Sequence, residues 1–133
     1  MLKRQISLAL GLACYLNSTL GQSVDFESQI KPLLSDRCFT CHGPDKKTRK
    51  ADLHLHSREG AMAKLDDNLA IIMPGKPEAS ELYNRLITDD TDELMPPPES
   101  NLTLSDEEKK LIHRWITEGA EWKEHWAFTP VNK

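Results

Sequence analysis

The sequence predicts an all-α domain with long connections. Three observations carry that expectation. Apolar residues recur at helical spacing in three segments, no run alternates well enough to make a strand, and Pro96, Pro97 and Pro98 exclude one locally. Connections this long are unusual in a small domain unless they wrap something.

Residues 1–21 stand apart from the fold. Lys3 and Arg4 precede an apolar run from Ile6 to Leu16, and small polar residues follow up to Gly21. That order reads as a secretory signal peptide cleaved near Gly21, and it is too short and poorly flanked for a membrane span. A lipoprotein reading at Cys14 fits less well, because Gly11 stands where a bulky aliphatic residue is expected.

The first helical segment covers residues 24–35, with Phe26, Ile30, Leu33 and Leu34 on one face and Pro32 predicting a kink or an early end. A short helix is possible over 57–65, followed by an apolar patch at 71–73. The second clear helix opens at Pro77, a residue suited to a first helical position, and aligns Ala79, Leu82, Tyr83, Leu86 and Ile87. The third is the clearest: Ser105 and Glu108 form a capping box, Leu111, Ile112, Trp115 and Ile116 form the stripe, and Gly119 ends it. Phe26 and Trp115 are natural partners where the first and last helices cross. Residues 22–120 are thus read as one domain, with 121–133 as a tail that Trp122 and Trp126 either anchor or present to a neighbour.

Loss of the leader removes two of 17 basic residues and none of 21 acidic ones, leaving 15 against 21, a formal charge of −6. Such an acidic domain is a poor prospect for nucleic acid. It would carry only Cys38 and Cys41, which is no disulfide framework. No spacing of Ser, His and Asp suggests a catalytic triad.

The chemistry concentrates in "CFTCH", residues 38–42. A C-x-x-C pair can share a metal, form a disulfide, or add across two vinyl groups. Zinc would need two further ligands, and only His54 and His56 offer themselves. A redox dithiol wants a βαβ context, whereas Gly43, Pro44 and the basic run "DKKTRK" follow here. The haem reading also explains the histidine: Cys38 and Cys41 form thioethers to haem c, and His42 is carried under the iron as proximal ligand. A sixth ligand is then wanted. Met95, in "ELMPPPES", sits in a loop stiffened by prolines, which hold a weak iron–sulfur bond at little entropic cost. Met62 and Met73 read as core, and His54 or His56 stands as the rival sixth ligand. The run "DKKTRK" is most simply a solvated loop, with docking of an acidic partner as the alternative.

Taken together, "FESQIKPLLSDRCFTCHGPDKKTRKADLHLHSREGA", "IMPGKPEASELYNRL", "ELMPPP", "LSDEEKKLIHRWITEGAEW" and "HWAFTPV" resemble the planctomycete-type cytochrome c domain over roughly residues 26–128. The resemblance implies a class I cytochrome c-like helical fold around one covalent haem. It also implies Cys38 and Cys41 as attachment points, His42 as proximal ligand and Met95 as distal ligand. One departure is the segment after "KADL", where His54, Leu55 and His56 replace the family's usual Arg-Leu-Asp, which keeps the bis-histidine alternative open. Members also usually carry this domain at the front of a larger exported protein, so the chain is expected to be a fragment.

The functional expectation is a monohaem electron-transfer module outside the cytoplasm. Its expected partner is a redox protein or downstream domains of its parent. The alternatives are a peroxidase-like or ligand-binding haem domain with an open sixth position, and a haem-stabilised interaction module.

Overall fold

In the computed structural model, residues 21–67 and 69–123 are described. The leader reading of 1–20, Cys14 included, and the tail beyond Lys123, with Trp126, lie outside the described residues.

The chain enters at Asp25, whose Oδ1 accepts the Ser28 N–H at 2.8 Å. A π-helical turn, Phe26–Ile30, closes with the Lys31 N–H on the Phe26 carbonyl and runs straight into α1, Lys31–Arg37. Pro32 explains the junction. It cannot donate, and its ring collides with the carbonyl four residues back; a widened turn just before it relieves both problems. The expected kink is therefore a change of helix type, and the helix reaches Arg37 rather than stopping near residue 35.

Cys38 ends α1 and starts α2, the single turn Phe39–His42. A second single turn, α3, Arg58–Ala61, is capped by Ser57, whose Oγ accepts the Gly60 N–H at 3.2 Å. It fills only part of the segment expected from the sequence.

The second long pattern is split. Pro77–Ala79 is a 3₁₀ turn, Ser80 is extended, and α4 runs over Glu81–Ile87. Ser80 is fully buried and causes the break: its Oγ accepts the Met73 N–H at 2.8 Å and donates to the Lys76 carbonyl at 2.9 Å. Leu86 is buried as expected, but Ile87, at the helix end, is 50% exposed. After a 3₁₀ turn at Pro98–Ser100 comes α5, Asp106–Thr117. Its capping box is complete, with the Glu108 N–H on Ser105 Oγ at 3.2 Å and the Ser105 N–H on Glu108 Oε2 at 2.7 Å. Gly119, at φ +104°, turns the chain out of the helix.

The π turn and α4 both pack against α5. At the crossing, the Phe26 and Trp115 rings stack with centroids 5.8 Å apart, and Trp122 closes on Phe26 at 4.1 Å. The Trp115 Nε1–H donates to the Glu121 carbonyl at 3.1 Å, so the buried indole leaves no donor unpaired. Trp122 thus belongs to the core side of the tail. Two isolated bridges, Lys64 with Ala70 and Ala70 with Ser80, are the only extended pairings among the described residues, which contain no strand.

Candidate cofactor site

Beside this core lies a cavity of about 470 Å³. Its walls bring together Cys38, Cys41, His42 and Met95 with apolar side chains such as Leu34, Ile71, Leu86 and Ile112. That volume is in the usual range for a cofactor pocket, roughly 300–1,000 Å³.

One wall is the junction of α1 and α2. The Cys38 N–H donates to the Leu34 carbonyl at 2.8 Å and the His42 N–H to the Cys38 carbonyl at 2.8 Å, so both thiols and the imidazole ride on one continuous hydrogen-bonded course. Both thiols are free. Burial pushes the Cys38 thiol up to about 12; Arg37 draws it down and Cys41 adds to the rise. Burial also holds His42 below the ordinary imidazole range, and the Lys50 backbone opposes this. His42 Nδ1 is shut off from solvent and has no hydrogen-bond partner among the described residues. The His42 side chain lies on the cavity wall.

The chain then doubles back. Gly43 is required, because a Cβ there would come within 2.2 Å of the Phe39 carbonyl oxygen. Arg49 folds into this bend, its side chain only 7% exposed. It donates to the Gly43 carbonyl from Nε at 3.1 Å and to the Pro44 carbonyl from Nη2 at 3.0 Å. Two backbone bonds complete the weld: the Lys50 N–H on the Cys41 carbonyl at 2.7 Å and the Leu55 N–H on the His42 carbonyl at 2.8 Å. Arg49 is therefore no member of a wholly solvated loop, as the sequence suggested. Between these ties Ala51 and Asp52 both adopt positive φ, +53° and +48°, inside a turn closed by the Leu53 N–H on the Lys50 carbonyl at 3.2 Å.

His54 reaches the cavity wall, but its Nε2 lies 3.3 Å from Arg49 Nη1 and 3.3 Å from Asp52 Oδ1. Gly60 fixes it from behind, since a Cβ on Gly60 would sit 2.5 Å from the His54 Cβ. His56 is not on the cavity wall. Its ring meets Phe39 edge-on at 6.4 Å, and its Nδ1 is occluded without a partner among the described residues. Burial, then Arg49, then His54 hold its pKa low.

Met95 arrives from the loop after α4, and Arg85 staples that loop. The Met95 N–H donates to the Arg85 carbonyl at 2.8 Å. Arg85 Nε meets Glu81 Oε1 at 2.7 Å, and Nη2 meets Glu93 Oε2 at 2.7 Å. Pro96 and Pro97 continue the wall beyond it.

The donor set fits a covalently bound haem: two thiols, one imidazole with its second nitrogen occluded, and a thioether share one apolar cavity. Among the described residues, no group of three or more His, Cys, Asp and Glu side chains converges as a zinc site requires.

Comparison with known proteins gives one family match, over part of the chain. Residues 38–99 match the family model for planctomycete cytochrome C. The chain carries a planctomycete cytochrome C domain. The match begins at Cys38 and ends just after the Met95 loop, so it spans all four candidate ligand positions. No curated protein and no solved structure gives a significant match. A cytochrome C domain binds haem and transfers electrons in general, and such domains are typically extracytoplasmic. No helix among the described residues is long and apolar enough to cross a membrane.

Sequence reasoning missed three residues that organise the candidate site: Arg49, Gly60 and Arg85. Only Arg85 left a signal, because Glu81 stands four residues before it on the same helix face.

Proposed function

We propose that the chain is a monohaem electron-transfer module of an exported protein. Cys38 and Cys41 form the thioethers, His42 Nε2 is the proximal ligand and Met95 Sδ the distal one. The observation that carries this reading is the single apolar cavity shared by these four side chains. The bound haem supplies one-electron cycling between ferrous and ferric iron.

The protein's part is to hold and to shield. Two cysteines on the α1–α2 junction fix the haem edge relative to His42, because the same backbone bonds order all three residues. Leu34, Ile71, Leu86 and Ile112 keep water from the iron's surroundings, and an apolar setting with a thioether ligand raises the potential. Arg85 and the prolines limit how far Met95 can swing, which lowers the entropic cost of a weak bond. No acid, base or nucleophile is asked for. Export is supported by the leader reading of residues 1–21, and the physiological partner is a redox protein or a further domain of the parent chain.

The test is expression of residues 22–133 with a c-type haem maturation system. The expected product keeps its haem through acid extraction and gives a sharp reduced α band with a reversible one-electron couple. Extractable haem would sink the covalent assignment. Met95→Ala is expected to open the sixth position, so that the reduced variant binds carbon monoxide where the parent resists it. Ready carbon monoxide binding by the parent would instead favour a ligand-binding or peroxidase-like domain, and an unchanged variant spectrum would move the distal ligand elsewhere.

A further inference from the structure

The electron-transfer reading leaves open where a partner docks. Charge is divided between the two segments that supply the candidate ligands. On the Met95 side, Asp89, Asp90, Asp92, Glu93 and Glu99 are all exposed. In the bend that follows His42, Lys46, Lys47 and Lys50 are exposed and make no ion pair among the described residues, although the chain as a whole carries a formal charge of −4.

This basic turn is not a loose loop. Asp45 spends its carboxylate locally, with Oδ1 accepting the Lys47 N–H at 2.9 Å, and its carbonyl accepts the Arg49 N–H at 3.1 Å. Arg49 is buried beneath the turn and bonded to the Gly43 and Pro44 carbonyls, so its charge holds the turn down while the three lysines point to solvent. Asp52 offsets Arg49 at 3.7 Å. The net result is a rigid platform of about two positive charges joined through the Lys50 N–H to the carbonyl of Cys41, a haem-attachment residue in the reading above. Free lysines on a pre-ordered turn give up little entropy on docking, and a local field close to the redox centre steers encounters more than net charge does.

We infer that turn 45–50 is the docking face for a redox partner with an acidic surface, and that electrons cross beside it. The inference rests on the electron-transfer reading and names the partner's chemistry. Net charge and local charge predict opposite behaviour, which makes it testable without knowing the partner.

The experiment follows oxidation of the reduced, haem-loaded protein by hexacyanoferrate(III), a trianion, across ionic strength. A tripositive cobalt phenanthroline complex serves as the counter-probe. The rate constant with the trianion is expected to fall as salt rises, and poly-glutamate should inhibit the reaction. The K46E/K47E/K50E variant should react with the trianion ~10-fold more slowly at low salt. It should show an inverted salt slope and no poly-glutamate inhibition, with its absorption spectrum and reversible couple unchanged. A wild-type rate that rises with salt, as net negative charge dictates, would overturn the docking face. So would a variant that reacts like the parent. Absence of any reversible couple is a different outcome: it removes the electron-transfer reading, and the docking face with it.

Discussion

The two halves of the domain bury apolar surface in opposite ways. At the crossing of the π turn with α5, Phe26, Trp115 and Trp122 fill the space between them with protein atoms alone. Around the cavity, Leu34, Leu86 and Ile112 are equally shielded from bulk water, and they form the apolar wall of a pocket of about 470 Å³. The first half is complete as a polypeptide. The second is ordered around its cavity by hydrogen-bonded welds, the Lys50 N–H on the Cys41 carbonyl and the Leu55 N–H on the His42 carbonyl.

The most drastic way to break this contrast is to withhold the cofactor. The C38A/C41A variant, made without attached haem, should lose hydrogen-exchange protection by orders of magnitude at the amides of Leu55 and Met95. The Ala120 amide, bonded to the Trp115 carbonyl, should keep most of its protection. Equal loss at all three would mean the halves do not differ in self-sufficiency.

Attacking the packed half gives the next largest effect. Trp115→Ala removes the largest fully buried side chain and should cost ~3–5 kcal/mol in chemical denaturation, with or without haem. A cost below ~1 kcal/mol would show that Trp122 and Phe26 re-close over the gap.

Strain in the welded half predicts a gain. Ala51 holds φ +53°, which disfavours any residue with a Cβ, so Ala51→Gly should stabilise the fold by ~1 kcal/mol. The larger freedom of glycine in the unfolded chain works against that gain, and a loss instead would mean this entropy dominates.

The smallest effect is at Glu118, which ties the start of the fold to its end. Its Oε2 accepts the Val24 N–H at 2.7 Å and its Oε1 meets Arg114 Nε at 2.7 Å; these partners hold its pKa below the usual carboxylate range. A depressed carboxylate stabilises the fold above its unfolded pKa and loses that contribution as pH falls through its folded one. Glu118→Gln should therefore be slightly less stable at neutral pH and show a shallower acid limb in thermal melts. An acid limb identical to the parent's would remove Glu118 from the account.

What the sequence made legible divides along the same line. α5 could be read in advance because its signals are local: Ser105 and Glu108 bond to each other, and its stripe repeats every turn. The CxxCH motif and the stiff MPPP loop were equally local, and both border the cavity. The features that hold the site are not local. Arg49 looked like one cation in a solvated run, and nothing in "DKKTRK" says that one of four would be buried against the carbonyls of Gly43 and Pro44. Ser80 looked like part of a helical approach, whereas its hydroxyl collects two backbone groups of the preceding loop and breaks the helix. Ile87 matched the apolar face by spacing, but α4 ends there and leaves it in water. Periodicity reports which face could be buried, and only the tertiary partner decides how far along the helix burial extends.

The tie between Val24 and Glu118 has a wider consequence. Arg114 also reaches the carbonyl of Gln22, and Trp122 lies on Phe26, so the strand of chain entering the domain and the one leaving it run side by side. A unit whose two ends meet needs only one point of attachment. Such an arrangement is expected to tolerate attachment to a longer polypeptide at either end, with a boundary beyond Trp122 rather than at Ala120, because Trp122 lies on Phe26 and Trp115 bonds the Glu121 carbonyl.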